Sequence, residues 1–128
     1  MADETYPDDL RYHPEHDWAR LEGDEATFGI TWFAQDQLGE VVFFDPPEIG
    51  SEVKLGESYA EVESVKAVSD VFAPLTGEVL EVNAALSDTP ELINDDPYGQ
   101  GWLVRVKLND PAEADELLDV GAYRQLLS

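Results

Sequence analysis

The stretch "ESVKAVSDVFAP", Glu63 to Pro74, places one lysine, Lys66, in a chain with 7 Lys and Arg against 29 Asp and Glu. A projecting primary amine is a point of covalent attachment, and acylation of it removes the charge. The chain has no cysteine, which removes disulfides, thiolate metal sites and a thiol nucleophile. Any sulfur chemistry must therefore arrive on an attached group. The other residues able to do chemistry lie in "HPEHD", where His13, His16, Glu15 and Asp17 offer imidazole and carboxylate ligands for a metal-dependent enzyme. A His-x-x-His pair outside a helix has no fixed ligand geometry, so ordinary packing is the preferred account of it and no metal is expected.

The elements around Lys66 decide how it is presented. Val62, Val65, Val68 and Val71 recur at every third position and admit a helix. Four β-branched residues, bounded by Gly56 and Pro74, favour two strands joined at Ser64 to Ala67 instead. Lys66 then stands at an exposed hairpin tip. "SEVKLGE" and "TGEVLEV", on either side of the hairpin, are weakly alike and hint at a duplication.

Elsewhere, Val41 to Phe44 reads as a strand stopped by Asp45-Pro46-Pro47, and Trp102 to Leu108 as a strand ended by Asn109-Asp110-Pro111. Thr31 caps a short helix through Gln37 and Leu38, with Gly39 as its left-handed exit. Asp110 and Pro111 open a terminal helix carrying Leu117, Leu118 and, after Gly121, Tyr123, Leu126 and Leu127.

At 128 residues with a formal charge of -22 and pI near 4.1, the chain reads as one domain that repels nucleic acid and anionic membranes. That charge serves solubility, docking to basic protein surfaces, or both. No apolar run approaches the roughly 20 residues of a membrane span. The opening "MADETYPDDL" has neither the basic nor the apolar region of a secretory signal. The expectation is a cytoplasmic monomer.

"ESVKAVSDVFAPLTGEVLEVN" resembles the lipoyl-lysine segment of the glycine cleavage system H protein family. "LRYHPEHDW", "FGITWFAQDQLGEVVF", "INDDPYGQGWLVRV" and "GAYRQLL" resemble further blocks of the family in the same order. Residues 1–9 fall outside the likeness and are expected to form a flexible tail on a single domain spanning residues 1–128. The resemblance implies a mainly β, lipoyl/biotinyl-type flattened sandwich, or barrel-sandwich hybrid. Two antiparallel sheets make it up, with short helices at the edges and C-terminus.

The same likeness implies lipoic acid on Lys66 as an amide, a presenting turn of Glu63, Ser64, Val65 and Ala67, and no catalytic residue. The implied partners are a pyridoxal-phosphate glycine decarboxylase, a tetrahydrofolate-dependent aminomethyltransferase and an FAD- and NAD-using dihydrolipoyl dehydrogenase. A lipoate ligase or a lipoyl/octanoyl transferase would install the arm. Glu15, Asp17 and Asp70 match a cleft that receives the loaded arm, where a carboxylate would pair with the amine. Asp17 stands where glutamate is common in the family, and Trp32-Phe33 is a less usual aromatic pair. A relay protein that donates lipoate to 2-oxoacid dehydrogenases is the neighbouring alternative. A biotin carrier fits less well, since its lysine typically lies between methionines and the lone methionine here is Met1.

Overall fold

Strict alternation sets the longest-range strand pairing: Val104, Val106 and Leu108 face inward while Arg105 and Lys107 face solvent. The computed structural model describes residues 4–128. In chain order it contains β1 (Arg11–His13), β2 (Asp17–Glu22), β3 (Glu25–Ile30), α1 (Trp32–Leu38), β4 (Val41–Asp45), β5 (Glu52–Val53), β6 (Ser58–Ser64), β7 (Val68–Phe72) and β8 (Gly77–Val82). After these come α2 (Ala85–Asp88), α3 (Leu92–Asp95), β9 (Val104–Leu108), a 3-10 turn (Pro111–Glu116) and α4 (Val120–Leu127). Two antiparallel sheets result. One has the order β1-β2-β3-β9-β8-β5 and the other β4-β6-β7. Phe28, Val62, Val71, Leu75, Val79 and Val106 fill the core cluster they share. The mainly β sandwich with short helices is therefore the observed architecture.

The two weakly similar segments pair with one another. Glu52 faces Glu78 and Val53 faces Gly77 across the β5–β8 ladder. Gly77 also lies so close to the Lys107 carbonyl of β9 that a Cβ there would collide with it. Among the described residues no helix is long and apolar enough to cross a membrane.

Two expectations are corrected. Residues 4–9 do not form a loose tail: Tyr6 is 5% exposed, in an aromatic cluster with Tyr12, Trp18, Tyr98 and Tyr123. The Tyr12 hydroxyl donates to the Pro7 carbonyl at 2.6 Å and the Tyr98 hydroxyl to that of Thr5 at 2.7 Å. Residues 1–3 of the expected tail lie outside the described residues. The terminal helix is also two pieces. Asp110 caps the 3-10 turn as expected, but Leu118 then forms an antiparallel bridge with Tyr12, both hydrogen bonds being 2.8 Å. That extended bridge forbids helical geometry, and Asp119 caps α4 afresh through the Ala122 amide at 2.9 Å.

Candidate functional site: the Lys66 hairpin and its cleft

The every-third valines separate by burial. Val62 and Val71 are buried, whereas Val65 and Val68 are 67% and 60% exposed. β6 and β7 pair antiparallel across this segment, Ala60 facing Val71 and Glu63 facing Val68, so the two-strand reading is the observed one. β6 and β7 close through residues 65–67, and Lys66 stands exposed at the tip.

Ser64 organises that turn. Its Oγ accepts the backbone amides of Lys66 at 3.2 Å and Ala67 at 3.1 Å, and its own amide donates to the Ala67 carbonyl at 2.8 Å. Glu63 lies between Phe43 of β4 and Val68 of β7. The Val65 amide leaves the hairpin and donates to the Glu40 carbonyl at 3.0 Å. Thr31 caps α1 as expected, accepting the Ala34 amide at 3.3 Å, and Gly39 ends it at φ +81°. The left-handed backbone is what favours glycine there, and the Lys66 stem crosses the end of α1, its Cε 3.5 Å from where a Cβ on Gly39 would stand, an ordinary contact distance.

Beside the tip opens a cleft of about 380 Å³. Glu15, Asp17 and Asp70 all line it, together with His16, Phe33 and Leu38. Glu15 comes from the turn between β1 and β2, which closes through the His16 amide on the His13 carbonyl at 2.9 Å. His16 adopts φ +74°, outside the usual range for a side-chain-bearing residue. It is held there by two contacts: its Nδ1 is 2.8 Å from the Tyr123 hydroxyl, and its ring lies 4.6 Å from that of Phe33. The Tyr123 hydroxyl also lies 2.8 Å from Thr31 Oγ1, so α4 braces the cleft wall and the start of α1 together.

The three carboxylates are not equivalent. Glu15 and Asp70 are exposed, whereas Asp17 is 2% exposed. Burial pushes the Asp17 carboxyl well above the usual carboxylate range, the neighbouring Glu15 charge adds to this, and the Phe72 amide acts against it. Asp17 is thus a buried group of the cleft wall that holds its proton more tightly than an ordinary carboxyl, unlike the exposed Glu15 and Asp70. Its Oδ2 and the Tyr59 hydroxyl have no hydrogen-bond partner among the described residues. Burial, then the Asp17 charge, raises Tyr59 as well.

His13 and His16 are drawn into the fold. His13 Nδ1 accepts the Glu15 amide at 3.1 Å and His16 Nδ1 pairs with Tyr123. Burial lowers both imidazoles, partly offset by the Glu15 charge. Among the described residues no group of three or more His, Cys, Asp or Glu could hold a metal ion. Residues that sequence reasoning passed over are Gln35, Glu40 and Asn94. Each is polar and unremarkable locally, and only the backbone around Gly39 gives them a role.

A family model described as Glycine cleavage H-protein matches residues 10–128. The chain belongs to this family. The H protein of Symbiobacterium thermophilum is 56% identical over 117 residues, covering 91% of each chain. A probable H protein of Haloarcula marismortui is 54% identical, covering 92% of this chain and 93% of its own. The crystal structure of the Mycobacterium marinum H protein superposes with a TM-score of 0.86 at 41% identity, covering 94% of this chain and 97% of that one. Membership makes this H-family chain a carrier component of the glycine cleavage system rather than one of its enzymes.

Proposed function

We propose that Lys66 carries lipoate as an amide on Nζ and that the cleft beside it receives the loaded arm. The observation that carries this reading is the juxtaposition of an exposed lysine at a hydrogen-bonded hairpin tip with a 380 Å³ cleft lined by Glu15, Asp17 and Asp70. The donor set suits the group. Phe33, Ala34, Leu38 and Phe72 supply apolar surface for a long aliphatic arm, and Glu15 and Asp70 supply charge for a protonated amine. When bound, the dithiolane supplies the reversible sulfur chemistry that a chain without cysteine lacks.

In this role the chain moves an aminomethyl group from glycine decarboxylase to the folate-dependent aminomethyltransferase, and electrons to dihydrolipoyl dehydrogenase. A lipoate ligase or lipoyl/octanoyl transferase acts on the turn of Glu63, Ser64, Val65, Lys66 and Ala67. Ser64 holds that turn, and the cleft walls exclude water from the cargo. The tether raises the local concentration of cargo at each enzyme. We read residues 1–128 as one carrier domain, monomeric because a charge of -22 opposes self-association, and working in the cytoplasm beside its partners.

Coexpression with a lipoate ligase tests the assignment. Intact mass should show one lipoyl group on the wild-type protein and none on Lys66→Arg. Lys54 and Lys107 should stay unmodified, the latter being paired with Asp24 at 3.0 Å. Persistent lipoylation of Lys66→Arg would remove Lys66 as the site.

A further inference from the structure

We infer that Asn94 is a positioning residue for the Lys66 turn, acting through the single peptide that joins Glu40 to Val41. The inference rests on the reading that Lys66 is lipoylated, and it adds a residue remote from the hairpin to the machinery of presentation.

Asn94 sits on α3, is 2% exposed, and makes three hydrogen bonds with its side-chain amide. Its Oδ1 accepts the Val41 amide at 2.8 Å, while its Nδ2 donates to the Gly39 carbonyl at 2.8 Å and to Gln35 Oε1 at 2.9 Å. One orientation of the amide satisfies all three, because a flip would set its NH2 against the Val41 N–H and its oxygen against two acceptors. Asn94 therefore grips both peptides that flank Glu40. The Val41 amide and the Glu40 carbonyl belong to the same planar peptide, so fixing one fixes the other. That carbonyl is the acceptor of the Val65 amide, at 3.0 Å. A continuous chain thus runs from Asn94 Oδ1, through the Glu40–Val41 peptide, to the residue preceding Lys66. Hydrogen bonds in such a chain polarise and strengthen one another.

Ser64 alone does not set where the hairpin points. Its bonds to Lys66 and Ala67 lie within the turn and move with it. The Val65 bond ties the turn to the end of α1, at the glycine over which the Lys66 stem passes. Removing the Asn94 amide leaves the Val41 N–H buried without its acceptor and frees the Glu40–Val41 plane to tilt. Lys66 then keeps its turn and loses its direction.

The test pairs hydrogen exchange with lipoylation kinetics on the full chain. In Asn94→Ala, the Val65 and Val41 amides should exchange at least about tenfold faster, the scale of losing a buried hydrogen-bond partner. The Leu103 amide on Phe28 and the Val79 amide on Ser51 should keep their wild-type rates. Lipoylation by a purified ligase should show kcat/KM lowered about tenfold, again on the scale of that lost partner. Unchanged Val65 exchange, equal acceleration of all these amides, or wild-type lipoylation would each overturn the inference. If Asn94→Ala fails to fold, exchange in the wild-type protein decides instead. Val65 and Val41 should then show matched protection, well above that of the Lys66 and Ala67 amides, and unmatched protection overturns the inference. A wild-type protein that takes no lipoate on Lys66 would defeat the carrier reading while leaving the exchange result to stand or fall separately.

Discussion

The presenting turn and the cleft beside it meet at Ala67, yet they treat their polar groups in opposite ways. In the turn, the amides of Ser64, Val65, Lys66 and Ala67 all have partners within 3.2 Å. In the cleft wall, Asp17 Oδ2 is buried with none among the described residues. A satisfied turn has one geometry and presents Lys66 in it. A buried carboxyl oxygen without a partner costs free energy that the satisfied groups of the turn do not.

The largest expected effect tests whether the hairpin is anchored by its core face alone. Val62→Ala should destabilise the protein by about 2 kcal/mol, since Val62 is fully buried between the sheets. Val65→Ala, at an exposed position three residues on, should stay within about 0.5 kcal/mol of wild type. Denaturant midpoints measure both, and equal losses would return the helical reading of the valines. Next, Ser64→Ala should cost about 1 kcal/mol, because the Lys66 and Ala67 amides lose their shared acceptor. Its lipoylation should slow; an unchanged rate would show that the ligase does not require a preformed turn.

The smallest effect sharpens the cleft side of the contrast. Burial raises the Asp17 carboxyl in the folded protein, so the folded state retains a proton that the unfolded chain releases above about pH 3.9. The stability this contributes is full below that pH and is lost as pH rises through the raised folded value. Asp17→Asn removes the dependence, and its stability should gain on that of wild type as pH climbs from about 4 toward 8. Urea midpoints across that range measure the gain. Parallel curves would mean that Asp17 is ionised and compensated in the fold.

The hairpin was legible because its determinants are close in sequence. β-branched valines, Gly56 and Pro74 mark the arms. Ser64 bonds to amides two and three residues ahead, and the Thr31 cap and Gly39 exit of α1 act over one turn. The spacing of such groups is itself the geometry. Glu15, Asp17 and Asp70 were legible only through family likeness, and their types say nothing about which of them is buried. Asp17 opens β2 and Asp70 lies mid-way along β7, and one is a buried wall group while the other is exposed.

By itself the sequence determined the strand arms, the exposed lysine at their junction, the cap and exit of α1, the acidic surface and the absence of intrinsic sulfur nucleophiles. Tertiary structure alone decided the rest. Tyr6 docks because Tyr98 and Tyr123 converge from distant segments on the cluster it forms with Tyr12. The terminal helix breaks because Leu118 finds Tyr12 on an open strand edge. Asn94 becomes a brace because its partners, 53 to 59 residues away, present one amide and two acceptors at the spacing its side chain can span. The physical reason is common to all three. A local hydrogen bond is specified by backbone dihedrals over a few residues, whereas burial and long-range pairing depend on which segments the two sheets bring together.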